Sequence, residues 1–120
     1  LDVFYAEFNL DHVEKYVLNS INVNDIDKFP SIRRDLSLLI DKSITFEEIK
    51  KIAFSINNKI LKNVDLFDVY EGENLPKEKK SYAISFLMND SKGTLTDKYV
   101  DKIMDELIQA FCQKLNAEIR

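Results

Sequence analysis

Glycine and proline are scarce in this sequence, two of each in 120 residues, and tryptophan is absent. So little glycine leaves no loop of the kind that cradles phosphates, and neither G-x-G-x-x-G nor G-K-[ST] occurs. It also argues against disorder or low complexity. Cys112 is the single cysteine, which excludes a disulfide or a cysteine metal cluster within the chain. Beside Phe111, near the end of a helical pattern, it reads as a packing residue. His12 is the single histidine, so a histidine-based triad or metal site has no support and a surface histidine is the plainer reading. No apolar run approaches the ~20 residues that cross a bilayer, and nothing resembles a signal peptide. A reducing, cytoplasmic setting fits. The chain starts at Leu1, which reads as a piece of a longer protein.

Excess positive charge is lacking too. The net charge is −4. Residues 1–28 hold Lys15 and Lys28 against Asp2, Glu7, Asp11, Glu14, Asp25 and Asp27, so residues 29–120 are formally neutral. A protein that binds nucleic acid through its backbone carries surplus Lys and Arg. Neutrality excludes a strong non-specific binder more firmly than a site for a few bases.

What is present is one core's worth of apolar residues, 45% of the chain, enough for a single domain. Residues 1–28 are expected to be the tail of a preceding domain plus a linker. Val3–Phe8 fits a strand, Leu10–Leu18 an amphipathic helix, and Asn19–Asp27 has linker composition. The alternative is a strand and helix packed on the main domain.

The main domain is expected over 29–120. Phe29-Pro30 ends the linker, and Arg33–Ile40 alternates as a strand with Leu36, Leu38 and Ile40 on one face. Thr45-Phe46-Glu47-Glu48 is a capping box, followed by Phe46, Ile49, Ile52, Ala53 and Ile56 at helical spacing to about residue 57 or 58. Leu66–Gly72 and Lys80–Phe86 then form an antiparallel hairpin. Period two puts Phe67 and Val69 inside with Tyr82, Ile84, Phe86 and Met88, and puts Asp68, Tyr70, Ser81, Ala83 and Ser85 outside. Thr94–Asp97 opens a second helix with the stripe Val100, Ile103, Met104, Leu107, Phe111 and Leu115, closed by Asn116. Ala117–Arg120 is a last short strand. The predicted order βαββαβ is α+β: a ferredoxin-like sandwich, a four-stranded antiparallel sheet with two helices on one face.

The other sheet face then carries Asp35, Ser37, Asp68, Tyr70, Ser81, Ala83 and Ser85. One aromatic ring among small hydroxyl side chains suits one stacked base flanked by hydrogen-bond partners. Asp35 and Asp68, if on adjacent strands, would suggest acid–base chemistry or a divalent cation. No nucleophile or polarising base lies near them, and pairing with a donor such as Arg34 fits better. Lys77, Lys79 and Lys80 make the hairpin loop basic, as either a solvated turn or a contact with an anion.

Five stretches in order carry a resemblance: Pro30–Leu36, Phe67–Gly72, Lys80–Ala83, Thr94–Asp97 and Ala117–Arg120. Together they resemble the C-terminal ferredoxin-fold anticodon-binding domain of bacterial phenylalanyl-tRNA synthetase β subunits. Val3–Phe8 is similar to the end of the domain that precedes it there. Glu78 departs from the glycine common in the family before Lys-Lys-Ser. The resemblance implies an (αβ)₂ enzyme that joins phenylalanine to its tRNA with ATP and magnesium, with catalysis in the α subunit. No cofactor is implied for this domain, which would be non-catalytic and would hold the tRNA-Phe anticodon stem-loop. Carried over by resemblance, the anticodon contacts are Asp68, Tyr70 and Ser81. Weaker candidates are Ser37 for a base edge and Arg33, Arg34 and Lys80 for phosphate. Two other readings of the fold remain: a regulatory module that binds a small ligand or pairs sheet to sheet, and an acyl-phosphate hydrolase. The first calls for an apolar face or glycine-rich loops, the second for an anion-cradling loop where Asp41-Lys42-Ser43 stands.

Overall fold

The computed structural model describes residues 1–17, 23 and 26–120. Leu10–Val13 forms a single turn of helix (α1), capped by the Asn9 side chain and followed by a 3-10 turn over Glu14–Tyr16. The strand expected over Val3–Phe8 does not form, and Val3, Phe4, Tyr5, Phe8, Leu10 and Tyr16 are exposed. Most of the stretch read as a linker lies outside the described residues.

Alternation in Ile32–Asp41 (β1) drives Leu38 and Ile40 fully inside, with Leu36 packed at the core margin. Thr45 then starts the helix Phe46–Ile56 (α2): its hydroxyl accepts from Glu48 N, while Thr45 N donates to Glu48 Oε2 at 2.8 Å. Ile49 and Ala53 from this helix are buried, and Phe46, Ile52 and Ile56 pack around them. Strands Leu61–Tyr70 (β2) and Lys79–Met88 (β3) form the hairpin, with β2 starting five residues earlier than its C-terminal alternation predicts. Thr96 caps the helix Asp97–Leu115 (α3), whose stripe of Val100, Ile103, Met104, Leu107 and Phe111 is buried. Asn116, at φ 49°, ends it in the left-handed conformation that asparagine tolerates. Cys112 lies one residue past the stripe, about 100° around the helix, and is exposed; it is not the packing residue expected. Glu118–Ile119 (β4) completes an antiparallel sheet ordered β2-β3-β1-β4.

Both long helices cover one face of this sheet. Phe86 of β3 and Phe111 of α3 meet there, ring centroids 6.2 Å apart and both rings without exposed surface. Arg34 also points to this side, its Nη2 3.0 Å from Asp97 and 3.8 Å from Asp101, one helical turn apart on α3. The domain is closed at its entry by Asn89, fully buried, whose Nδ2 donates to Phe29 O at 2.7 Å and Ser31 Oγ at 3.3 Å. Such a clasp satisfies backbone polarity where Pro30 has no N–H to offer.

Candidate nucleic-acid interface

The face away from the helices is laid out in rows by strand register. Residues opposed in an antiparallel pair project to the same side. From one end the rows run Asn63–Leu87–Arg33, then Asp65–Ser85–Asp35, then Asp68–Ala83–Ser37, then Tyr70–Ser81–Leu39. Glu118 of β4 extends the last row, and Lys79–Asp41 closes the end. Asp68, Tyr70, Ser81 and Ser37 therefore share one region of one face. Ser37 Oγ and Ser81 Oγ lie 3.4 Å apart, and Ser81, only 4% exposed, forms the floor beside Tyr70.

Two irregularities in β2 make this arrangement. One falls between Leu61 and Asn63, the other between Leu66 and Asp68. At the second, Leu66 faces the core opposite Ile84, while Phe67 and Asp68 together oppose Ala83. The extra residue resets the phase, so Asp68 and Tyr70 arrive on the open side without pushing Leu66 out of the core. Phe67 is the residue displaced. Counting back from Tyr70 at period two places it inside, but it is 54% exposed. Val69 keeps its place opposite Tyr82, yet on this edge strand it too stays about half exposed.

Each open-face ring of β2 carries an arginine from across the sheet. The Arg120 guanidinium carbon lies 5.3 Å from the Tyr70 ring centroid, and that of Arg33 lies 5.4 Å from Phe67. Arg33 belongs to β1, with β3 between, so only a ring on the open face is within its reach. Arg33 is steered by Asp35, with Nε–Oδ1 at 2.8 Å and Nη2–Oδ2 at 3.3 Å. Exposed cation–π contacts of this kind contribute about 0.5–1 kcal/mol. Tyr70 also leans on Gly72: a Cβ there would collide with the ring's Cζ and hydroxyl, so the glycine leaves room for the ring where it lies and is not there for its dihedral freedom. Glu78, where a glycine was expected by resemblance, sits at ordinary negative φ, its carbonyl accepting from Lys42 N at 2.9 Å.

The phosphate candidates separate. Arg33 is on the open face. Arg34 is on the helix side, held by α3. Lys80 is also on the helix side and 7% exposed; its ammonium lies over the Tyr82 ring at 4.5 Å and donates to Lys42 O at 2.9 Å. Asp35 and Asp68 lie on strands separated by β3, not on neighbours, and Asp35 pairs with Arg33 rather than Arg34. Among the described residues no three His, Cys, Asp or Glu side chains gather to hold a metal. No helix among them is long and apolar enough to cross a membrane. Sequence reasoning missed Phe67 and Arg120 as open-face residues. The signal for Arg120 was its alternation with Ile119, which faces Leu38 and so leaves Glu118 and Arg120 to the other side.

The open face mixes the cations Arg33, Lys79 and Arg120 with Asp35, Asp41, Asp65, Asp68 and Glu118. Such a surface offers hydrogen bonds and ring faces, not a positive field. A profile described as ferredoxin-fold anticodon binding domain matches residues 27–120. The chain belongs to that family. It is also similar to the phenylalanine–tRNA ligase beta subunit of Bacteroides thetaiotaomicron, 48% identical over 120 residues, which is 99% of this chain and 15% of that protein. The corresponding subunits of Porphyromonas gingivalis and Fusobacterium nucleatum are 41% and 36% identical, over 98% of this chain and 14% and 15% of theirs. The chain thus spans about 15% of the length of the curated relatives it matches. Family membership agrees with the resemblance carried by the five stretches and with the observed ferredoxin-like α+β fold.

Proposed function

We propose that this domain holds the anticodon loop of tRNA-Phe on its open sheet face, as part of a cytoplasmic phenylalanine–tRNA ligase. The supporting observation is the convergence of Tyr70, Asp68, Ser81 and Ser37 on the face opposite α2 and α3, in a chain of an anticodon-binding family. Tyr70 offers a ring to stack a base, Asp68 accepts from base N–H groups, and the Ser37–Ser81 hydroxyl pair can donate or accept. Stacking on an aromatic ring contributes ~1–3 kcal/mol per base, more than the arginine contact it would replace. With acids outnumbering cations on the face, affinity comes from stacking and base edges, and its salt dependence is shallow.

In the parent enzyme, phenylalanine is joined to tRNA with ATP and magnesium in the partner α subunit. The sequence carries no glycine-rich phosphate loop for the one, and among the described residues no three acids gather for the other. This domain's part is to position the tRNA.

The test is steady-state kinetics in the assembled enzyme. Tyr70→Ala and Asp68→Ala should raise KM for tRNA-Phe about ten- to a hundredfold, since ~1.4 kcal/mol is tenfold. Phenylalanine-dependent pyrophosphate exchange should be unchanged. Unaltered KM for tRNA in both variants would overturn the reading.

A further inference from the structure

We propose that Phe67 is a second base-stacking position, taking the nucleotide next to the one on Tyr70. The inference rests on the anticodon-loop reading of this face and adds to it a site at the bulge. Phe67 and Tyr70 are the exposed rings of β2 on the open face; with Phe67 in the bulge opposite Ala83 and Tyr70 opposite Ser81, they stand about 7 Å apart along the sheet. They are the only two open-face rings among the described residues of the four strands. Both carry the same device, a guanidinium from another strand over the ring.

A large apolar ring half in water, on a strand whose other apolar residues are mostly turned inward, contributes little to the core. The bulge that exposes Phe67 is the same irregularity that brings Asp68 and Tyr70 to the open face, so ring, carboxylate and ring are set out by one backbone feature. The charge fits the same occupant. A base entering over Phe67 takes the place of the Arg33 guanidinium, a contact weaker than a base stack. Arg33 stays beside the ring and is free to meet the phosphate between the two nucleotides, while Asp35 keeps it extended along the face. Recognition then involves adjacent, unstacked nucleotides of a single-stranded loop, a target chemistry distinct from duplex RNA.

A double-mutant cycle between protein and RNA tests this in the assembled enzyme. The probe is an RNA hairpin with the tRNA-Phe anticodon loop, made intact or with one loop base removed at a time. Phe67→Ala should weaken binding of the intact hairpin about tenfold, and that loss should vanish for one abasic position only. The position should adjoin the one that abolishes the effect of Tyr70→Ala. Phe67→Tyr should bind as the parent does and Phe67→Leu as the alanine variant. If Phe67→Ala binds every hairpin normally while Tyr70→Ala still loses affinity, the second position is wrong and the anticodon reading stands. If Phe67→Ala loses the same factor on every hairpin, the ring acts through strand geometry and the proposal falls. Normal binding by both variants would overturn the second position and the anticodon reading together.

Discussion

Two phenylalanines on neighbouring strands divide the labour of this sheet. Phe86 of β3 lies under α3 with no exposed surface, its ring against Phe111. Phe67 of β2 keeps half its surface in water and meets a guanidinium. The helix side is a packed layer, where cohesion depends on filling volume and where even the cations Arg34 and Lys80 are tied to acids or a carbonyl. The open side is a single layer held in shape from behind, so its side chains can be selected for what they contact. Removing a ring from one side should damage the fold; removing one from the other should damage only binding.

The largest expected effect follows directly. Phe86→Ala should destabilise the domain by ~3–5 kcal/mol, the usual loss for a buried aromatic. Phe67→Ala should stay within about 0.5 kcal/mol, as surface substitutions do. Urea midpoints for the two variants measure the contrast, and comparable losses would erase the distinction between the faces.

Lys80 comes next, because it looks like a loop cation and is built into the helix side. Lys80→Met keeps the apolar stem but removes the ammonium from Lys42 O and from the Tyr82 ring. A loss of ~1.5–3 kcal/mol is expected, as for a hydrogen bond from a charged donor. The dependence of RNA affinity on salt should not change, whereas Arg33→Ala on the open side should reduce its slope by about one. A shallower slope for Lys80→Met would return that lysine to the RNA.

How far these assignments were legible depends on whether a pattern ran unbroken. Leu36, Leu38 and Ile40, the even residues from Tyr82 to Met88, and both helical stripes alternate without interruption, and the fold follows from them. The Thr45–Glu48 box and Thr96 mark helix starts that a few backbone N–H groups require. For the site, parity placed Ser37, Asp68, Tyr70 and Ser81 on one face, as found. The same parity puts Lys80 with Tyr82 and Arg34 with Leu36, on the helix side; their charge argued for solvent, and specific partners there outweighed it. Phe67 was not legible from Tyr70 alone. Val64 and Leu66 share one phase and Val69 the other, and only an inserted residue reconciles them. Strand order is not written in periodicity at all, so alternation leaves open whether Asp35 and Asp68 are neighbours, and β3 divides them.

Gly72 offers a sharper cut through the open face. A methyl group there must push the far end of Tyr70 aside, and that side chain can swing into solvent. Gly72→Ala should therefore leave stability within about 1 kcal/mol, in the range of surface changes. RNA affinity should fall part of the way toward that of Tyr70→Ala, because the ring is displaced rather than lost. Parental affinity in a folded Gly72→Ala domain would mean the position of the ring against Gly72 does not matter for binding.

The smallest effect separates the faces by pH. Glu48, at the start of α2, has its pKa lowered first by the Thr45 backbone N–H and next by the Thr45 hydroxyl, with weaker help from Lys51 and Lys80. A carboxylate that ionises more readily folded than unfolded stabilises the fold above its unfolded pKa. That stabilisation is lost as pH falls through the folded value, where the side chain takes a proton in both states. Glu48→Gln keeps a capping side chain without the charge, so it should be slightly less stable than the parent at neutral pH. The gap should close as the solution is acidified. Paired urea titrations at neutral and acidic pH, taken as the difference between the two proteins, cancel the other carboxylates. A gap that stays constant with pH would remove the charge from the cap. RNA affinity at neutral pH should be the same for both proteins, since Glu48 stands behind the sheet.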